Sequence, residues 1–504
     1  MSSNHFWNDV VPVLWVPMCR NSRRRSWGDT TPILADMTTP AWTQSALEIA
    51  ESIRNGSVTS RSVVESHLAR IAAVNGHVNA IVRVLEADAL AMADEADARV
   101  KSGMPLGPLH GVPFTVKENI DMAGLPTTQG IVALREAVAG RDAPVVERMK
   151  AAGAIPIART NLPDLGLRIH TDSSLYGRTK NPWKSDRTAG GSSGGEAAAL
   201  ATGMSPLGLG NDIGGSLRNP AHCCGVASIK PSTGVIPDAQ TFPIEDFGLS
   251  SQLMLNQGVM ARRMADVRAG FTAVAGAHPR DPVSAPVRLT DLAPGEKVRV
   301  AVMPTPPGGS THPEIADVVR RAAEVLANAG HRVDEVQPPD FEAACAVWSI
   351  QLVGELSLQI DLLDAVMGEG GRRFLHLTRD ANPTVGLAEW SQAQYQRNGI
   401  ARRWSEWFST YDVLVCPVWT QPPFVFDSDI ADAAGAMATV ELMRAVLPAN
   451  LLGLPAAVVS AGSAGGLPAG VQVIGARYTD LRCMAIAEQI ESACALRTPI
   501  DPID

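Results

Sequence analysis

Short apolar, β-branched segments alternate along this chain with longer stretches of helical periodicity. Two such segments lie at residues 111–119 and 155–160, after a helical N-terminal part. Further strands are predicted at Val298–Met303, Arg332–Val336, Asp412–Val418 and Gly470–Gly475. Strands that alternate with helices in this way are typical of the α/β class.

Helical patterns begin close to residue 40. A capped amphipathic helix is predicted from Thr43 to Asn55, helical periodicity continues to about residue 100, and Pro313–Ala329 predicts another helix. Residues 1–36 show no periodicity, so we expect a disordered leader there, either a tail or the product of an upstream start. A single domain is expected over residues 37–504.

The composition is that of a globular protein with a sizeable core. Of its 504 residues, 45% are hydrophobic and 19% are charged, which excludes a disordered or fibrous chain. The formal net charge of −9 disfavours nucleic-acid or anionic-membrane partners, whose phosphates require clustered cations. No apolar run reaches the roughly 18 residues of a membrane helix. Small neutral substrates therefore fit best.

The seven cysteines are scattered and contain no CxxC pair, which argues against a disulfide framework and a zinc site. The apolar stretch Val10–Met18 precedes the arginines at 23–25, the reverse of the charge order in a signal peptide. We therefore expect a cytoplasmic protein.

Two glycine-rich stretches follow the first strands: GGSSGGEAAA at 190–199 and GLGNDIGGSLRNPA at 208–221. Such stretches most often form turns or tight entries into helices. A Walker A loop is excluded because Glu196 and Ala197 follow Gly195, where Lys and Ser/Thr would be needed. A dinucleotide-binding fingerprint fails because Ile213 replaces its third glycine.

The first stretch also matches G-x-S-x-G, the nucleophile elbow of α/β-hydrolases, in two registers, 190–194 and 191–195. That fold needs a late histidine, but the last one is His376, and no HGGG-type motif occurs. The elbow interpretation is disfavoured and stays open at this point.

A scarce lysine ends the first predicted strand. The chain has seven Lys against 36 Arg, and Lys117 closes an apolar segment, with Glu118 and Asn119 as candidate partners. An isolated lysine is usually a solvated surface cation. In an apolar place, however, a lysine amine can lose its proton and act as a base, whereas a guanidinium cannot. The two serine-containing loops favour the catalytic interpretation.

Three segments together resemble the amidase signature family of amide hydrolases. They are PFTVKEN at 113–119, TAGGSSGGEAAALATG at 188–203 and GNDIGGSLRNPAHCCGVASIKPS at 210–232. The resemblance is strongest over about residues 105–235 and extends more weakly across most of the ordered chain. It implies a large mixed β-sheet flanked by helices on both faces.

Carried over to this sequence, the resemblance implies a nucleophile at Ser216, a bridging serine at Ser192 and a base at Lys117. The oxyanion hole would consist of backbone N–H groups of Ile213, Gly214, Gly215 and Ser216. The expected supporting residues are Gly191, which precedes a cis peptide bond in the family, Ser193, and the pair Asp212 and Arg218. The pair could equally be an ordinary structural ion pair. His222, Cys223 and Cys224 are better explained by buried packing than by a thiol nucleophile.

The resemblance defines the reaction better than the substrate. It implies hydrolysis of a carbon–nitrogen amide bond in a small, partly apolar molecule through a serine acyl-enzyme, without a cofactor or metal, by a chain compatible with a homodimer. The region of about 340–410 would shape the substrate tunnel. Its aromatic residues are Trp348, Trp390, Tyr395, Trp404, Trp407 and Phe408. Their helical spacing is more typical of core packing, although some could line an apolar pocket.

Other functions remain open. A glutaminase component of a tRNA-dependent amidotransferase would share this core, but GLSSQLMLNQGVMAR at 248–262 departs from the Ser-Leu-Asp-Gln-Ile-Gly-Pro segment expected there. An esterase or carbamate hydrolase could use the same three residues. A non-catalytic glycine-rich binding protein is disfavoured by the intact Lys, Ser and Ser set.

Overall fold

One eleven-stranded mixed sheet positions everything that follows. The computed structural model of the protein describes residues 40–241, 248–381, 385–494 and 496–503. The predicted leader at residues 1–36 lies outside the described residues.

The strands of the described chain are β1 (Ile81–Val84), β2 (Pro113–Lys117), β3 (Ile155–Thr160), β4 (Asp172–Ser173), β5 (Gly177–Arg178), β6 (Lys180–Asn181), β7 (Lys184–Thr188), β8 (Leu207–Asp212), β9 (Ala227–Lys230), β10 (Asn256–Ala261), β11 (Arg299–Val302), β12 (Arg332–Glu335), β13 (Val413–Pro417), β14 (Ala456–Ala464) and β15 (Leu467–Gly475). Its α-helices are α1 (Ala46–Arg54), α2 (Ser60–Val78), α3 (Glu86–Lys101), α4 (Pro144–Ala151), α5 (Gly194–Ala201), α6 (Arg218–Cys224), α7 (Leu249–Met254), α8 (Met264–Val274), α9 (Pro313–Asn328), α10 (Phe341–Ser357), α11 (Ile360–Val366), α12 (Glu369–Asp380), α13 (Leu387–Trp407), α14 (Ala433–Leu442), α15 (Leu447–Leu451) and α16 (Asp480–Cys494). Within the described ranges, no single helix is long and apolar enough to cross a membrane, while α10 and α11 meet that criterion only as a pair bent by 71°.

The strand order across the main sheet is β1-β3-β2-β8-β10-β9-β14-β15-β13-β11-β12. The neighbours β3, β2 and β8 run parallel, as do β13, β11 and β12, and the other pairs are antiparallel. The predicted large mixed sheet is confirmed. Because parallel neighbours end at the same edge of a sheet, the carboxyl ends of β2 and β8 bring Lys117 beside Asn211 and Asp212.

Two hydrophobic clusters cover the two faces of the sheet, because successive strand residues point to opposite sides. In β11, Val300 and Val302 pack into one cluster, which includes residues of α1, α8, α9 and α16. Ala301 packs into the other, which includes residues of α2, α3, α5, α6, α10 and α13. Helices therefore flank both faces, as the sequence resemblance implied.

Element positions agree closely with the sequence predictions, with physical reasons for the differences. The predicted strand at 155–160 coincides with β3. The first helix begins at Ala46 rather than Thr43, because Ser45 caps it: the Ser45 hydroxyl accepts from the Glu48 N–H at 3.2 Å, and the Glu48 carboxylate accepts from the Ser45 N–H at 2.7 Å.

Strand β8 was not predicted, because Gly208 and Gly210 weaken its strand pattern. Both glycines are required by close neighbours. A Cβ on Gly208 would lie 1.8 Å from Glu196 Oε1, and one on Gly210 would lie 2.9 Å from Ser193 Oγ. The glycines of this strand therefore make room for the polar side chains of the neighbouring loop and helix.

Candidate active site

The amine of Lys117 is fully buried at the end of β2. Its Nζ lies 2.8 Å from Ser192 Oγ and 2.7 Å from Asn211 Oδ1. Burial lowers the pKa of Lys117 to about 7, although the carboxyl groups of Asp212 and Glu196 act in the opposite direction. A neutral amine has two N–H groups and one lone pair, so it can donate to Asn211 and accept from the Ser192 hydroxyl.

Neither of the expected partners contacts the Lys117 amine, so that part of the sequence prediction is wrong. Glu118 forms a buried ion pair with Arg159 at 3.2 Å, because successive strand residues point to opposite faces. Asn119 accepts from Asn211 Nδ2 at 3.1 Å. The partner that sequence reasoning missed is Asn211, whose proximity depends on the parallel pairing of β2 with β8.

Ser192 lies in the tight loop before α5, and the Gly191–Ser192 peptide bond is cis, as the resemblance implied. Gly191 packs against backbone, since a Cβ there would lie 2.6 Å from the Arg168 carbonyl oxygen. The backbone N–H of Ser193 donates to the Ser216 carbonyl oxygen at 3.1 Å. This hydrogen bond joins the two serine loops directly.

Glu196 on α5 is buried close to Lys117 without contacting its amine. Its carboxyl group accepts hydrogen bonds from Thr115 and, at 2.8 Å, from Thr160. Burial raises the pKa of Glu196 to about 8, although these hydrogen bonds and Lys117 act to lower it. At neutral pH a neutral Glu196 therefore leaves the lysine without an ion-pair partner on this side.

The loop that precedes Ser216 has each of its carbonyl groups held by a named donor. Asn450 Nδ2 donates to the Asp212 carbonyl at 3.2 Å, and Trp348 Nε1 donates to the Ile213 carbonyl at 3.0 Å. Asn219 holds the next two, donating from Nδ2 to the Gly214 carbonyl at 3.1 Å and from its backbone N–H to the Gly215 carbonyl at 2.6 Å.

Fixing the carbonyl groups also orients the N–H groups, because the C=O and N–H of a trans peptide point in opposite directions. The Gly215 N–H donates to Asp212 Oδ1 at 2.8 Å. Within the part of the chain that the structure describes, the N–H groups of Ile213, Gly214 and Ser216 have no acceptor. The oxyanion donors expected from the sequence are therefore narrowed to these three, since Gly215 is already engaged.

Asp212 and Arg218 form a fully buried, bidentate ion pair beneath this loop. Arg218 Nε and Nη2 each lie 3.0 Å from an oxygen of the Asp212 carboxylate. Burial opposes ionisation, but the Arg218 guanidinium holds the pKa of Asp212 well below its usual range. Arg218 Nη1 also donates to Gln472 Oε1 at 3.0 Å. The pair thus anchors the oxyanion loop to the neighbouring strand β15.

Replacing Arg218 by methionine should destabilise the protein strongly, because Asp212 would remain as a buried charge without its partner. We expect a loss of about 3–5 kcal/mol in the free energy of unfolding, measured by urea denaturation. The matched control is Arg320→Met, which breaks an exposed pair with Asp317 at 3.2 Å and should cost about 1 kcal/mol or less. Equal small losses in both variants would contradict the anchoring role.

Ser216 lies in the turn before α6 and opens onto a cavity of about 110 Å³. The walls are mostly apolar. Among the residues that line the cavity are Ile169, Ile213, Trp348, Leu352, Leu356, Ile360, Phe374, Leu375 and Met443. Ser216 is 6% exposed, and within the described chain no hydrogen bond holds its hydroxyl. The expected hydrogen bond between Ser192 and Ser216 thus stays a prediction.

The aromatic residues singled out in the sequence have different positions. Trp348 lines the cavity. Trp404, Trp407 and Phe408 pack on one another, with ring centroids 5.1–6.2 Å apart, and Tyr395 is 71% exposed. Phe374 also lines the cavity, although no sequence pattern distinguished it. Core packing thus accounts for the cluster on α13, as its helical spacing suggested.

The neighbouring thiols are fully buried, which raises the pKa of Cys223 and of Cys224 well above the usual value. A thiol in this state is a poor nucleophile. His222 accepts from the Gly470 N–H at 3.0 Å. These contacts agree with the packing interpretation of the His-Cys-Cys segment.

One group in the described ranges has metal-like spacing: His170, Asp172 and Asp427 have potential ligand atoms within 4.8 Å of one another. Arg168 and Arg178 already pair with the Asp427 carboxylate, at 3.1 and 2.6 Å. Two guanidinium charges thus provide the positive charge that a metal would bring, and we assign no metal to this group.

Comparison with known proteins agrees with this geometry. The sequence matches the family described as Amidase over residues 62–484. The fold and site define an amide hydrolase, and the chain belongs to the amidase signature family.

Three relatives span nearly the whole chain. An indoleacetamide hydrolase of Bradyrhizobium diazoefficiens is 38% identical over 90% of this chain and 87% of its own length. An acylamidase of Rhodococcus erythropolis is 33% identical over 89% of this chain and 95% of its own. A component of the glutamyl-tRNA(Gln) amidotransferase of Salinispora arenicola is 31% identical over 90% and 98%, respectively.

Two solved structures share the fold. A 6-aminohexanoate cyclic dimer hydrolase, complexed with substrate, superposes with a TM-score of 0.80 at 26% identity, covering 92% of this chain and 99% of the other. A bacterial aryl acylamidase of the amidase signature family gives a TM-score of 0.79 at 27% identity over 90% and 97%. The predicted fold and the amide hydrolase class are thereby confirmed.

Proposed function

We propose that this amidase uses Ser216 as its nucleophile, Ser192 as a proton relay and Lys117 as the base. The observation that carries the proposal is the 2.8 Å contact between the buried Lys117 amine and Ser192, in a loop joined by a hydrogen bond to Ser216. A serine hydroxyl is too weak an acid to attack an amide unaided, so a base must take its proton.

In the acylation step, the Ser216 oxygen bonds to the carbonyl carbon while its proton passes to Ser192 and the Ser192 proton passes to Lys117. The substrate oxygen, now negative, accepts from the N–H groups of Ile213, Gly214 and Ser216, each donor contributing on the order of 3 kcal/mol. As the carbon–nitrogen bond breaks, Ser192 returns a proton to the nitrogen and recovers one from Lys117. An amine leaves, and the acyl group remains on Ser216.

Deacylation uses the same path with water as the nucleophile. Water gives a proton to the relay as its oxygen bonds to the acyl carbon, and the relay returns that proton to Ser216 as the ester bond breaks. A carboxylic acid is released, and Lys117 is neutral again. The low pKa of Lys117 suits this cycle, because the base must begin each turnover without its proton.

The cavity supports a substrate with an apolar acyl group. Side chains such as Trp348, Leu352 and Phe374 surround the opening beside Ser216 and offer hydrophobic contact with few polar groups. We infer that a small aryl or branched aliphatic group occupies this space, with the scissile carbonyl at the oxyanion loop. A glutamine side chain would gain little there, which disfavours the glutaminase alternative.

A substrate panel tests the proposal. The purified chain should hydrolyse amides with small aryl-alkyl acyl groups, faster than acetamide and without glutamine or a partner protein. Activity on glutamine alone would favour the amidotransferase alternative, and activity confined to esters or carbamates would favour the third. A cytoplasmic location and a homodimer stay predictions from the sequence.

Activity should rise with pH through about 7, the pKa of Lys117. Below that pH the amine is protonated and cannot accept the Ser192 proton, so kcat/KM should fall by nearly tenfold per pH unit. The measurement is kcat/KM for a neutral amide between about pH 5.5 and 8.5, with folding followed by circular dichroism. A flat profile in the folded protein would contradict a lysine base with this pKa.

A further inference from the structure

Trp348 connects the acyl cavity with the oxyanion loop. It lies on α10, 135 residues from Ile213 in sequence, and its indole Nε1–H donates to the Ile213 carbonyl at 3.0 Å. The residue is 8% exposed and also lines the cavity beside Ser216. One side chain therefore contacts both the space for the acyl group and the peptide that precedes Gly214.

The indole also packs directly on Gly214. A Cβ at that position would lie 2.7 Å from Cζ2 of Trp348, so the glycine allows the ring to approach the loop closely. The Ile213 carbonyl points to the indole N–H, and the Gly214 N–H of the same peptide plane therefore points the other way. This N–H has no acceptor among the described residues and is free for the substrate oxyanion.

We propose that Trp348 is a positioning residue that orients the Gly214 N–H in the oxyanion hole. The inference rests on the proposed function of the site and adds a specific role for the cavity wall. Without the indole hydrogen bond, the Ile213–Gly214 peptide can rotate, and the donor loses the alignment that transition-state stabilisation requires. The indole thus acts on the rate of the chemical step, beyond its contact with the acyl group.

Trp348→Phe tests this role, because phenylalanine keeps an aromatic ring in the cavity but lacks the N–H donor. We expect kcat on an apolar amide to fall roughly 10- to 100-fold, part of the loss seen when an oxyanion donor is removed, with KM nearly unchanged. A trifluoromethyl ketone, which forms an oxyanion on the nucleophile, should bind more weakly by a similar factor. The matching alcohol, which forms none, should bind as in the wild type.

Leu352→Ala is the matched control, since Leu352 lies one turn further along α10 on the same cavity wall. It should weaken the ketone and the alcohol equally. An unchanged kcat in Trp348→Phe, or equal weakening of both ligands, would overturn the inference. If the phenylalanine variant does not fold, Trp348→Met provides the same comparison.

The wild type separates this inference from the proposed function. A wild-type enzyme that turns over amides but whose Trp348→Phe variant is equally fast would refute the positioning role alone. A wild-type enzyme without amide turnover would instead refute the proposed function.

Discussion

Replacing Lys117 by alanine is expected to lower kcat on an amide by roughly 10³- to 10⁴-fold, because the variant has no group to accept the Ser192 proton. Lys117→Arg should not restore activity, since a guanidinium stays protonated at any working pH. The measurement is steady-state turnover of an apolar amide, with thermal unfolding as a check on folding.

An exposed lysine supplies the control for this pair of variants. Lys180→Arg retains a charge at a position in β6 far from any predicted role, and its activity should match the wild type. If Lys117→Arg retained near-wild-type activity, the relay would be wrong, because an obligately charged side chain cannot be the base.

Removing the Ser216 hydroxyl is expected to have the largest effect, a loss of about 10⁴-fold or more in turnover, because it removes the atom that bonds to the substrate. Ser192→Ala should also be slow, yet it retains the nucleophile. The two serines should therefore differ in the formation of a covalent acyl-enzyme, measured by mass spectrometry of the intact protein after mixing with an activated ester.

The leaving group sharpens this comparison. An amide nitrogen needs a proton to depart, whereas the alkoxide or phenoxide of an activated ester departs without one. Ser192→Ala should therefore lose proportionally more activity on an amide than on the ester with the same acyl group. Equal losses on both substrates would argue that Ser192 does not return the proton to the nitrogen.

Motifs in the sequence were sufficient to predict the central fold class and to select Lys117, Ser192 and Ser216 as candidates. Local sequence carried this information because each residue lies at the end of a strand or at the entry to a helix, where short glycine-rich segments determine the backbone. The close contact of Lys117 with Ser192 agrees with the choice, although their chemical roles await experiment.

Contacts between distant elements could not be predicted in this way. Asn211 reaches Lys117 only because β2 and β8 pair in parallel, and Trp348 reaches Ile213 from a helix that packs over the loop. The engagement of the Gly215 N–H by Asp212 depends on a turn whose direction the glycines alone do not determine. Such pairings follow from tertiary packing, which periodicity and motif spacing do not encode.

The nucleophile itself can be identified by a single measurement. The wild-type protein would be treated with a fluorophosphonate, which bonds to an activated serine oxygen as fluoride leaves, and the adduct would be located by peptide mass spectrometry. We expect one adduct, on Ser216, and none on the Ser216→Ala variant. An adduct on Ser192 or Ser193 would contradict the proposed nucleophile and support the nucleophile-elbow interpretation of the first serine loop.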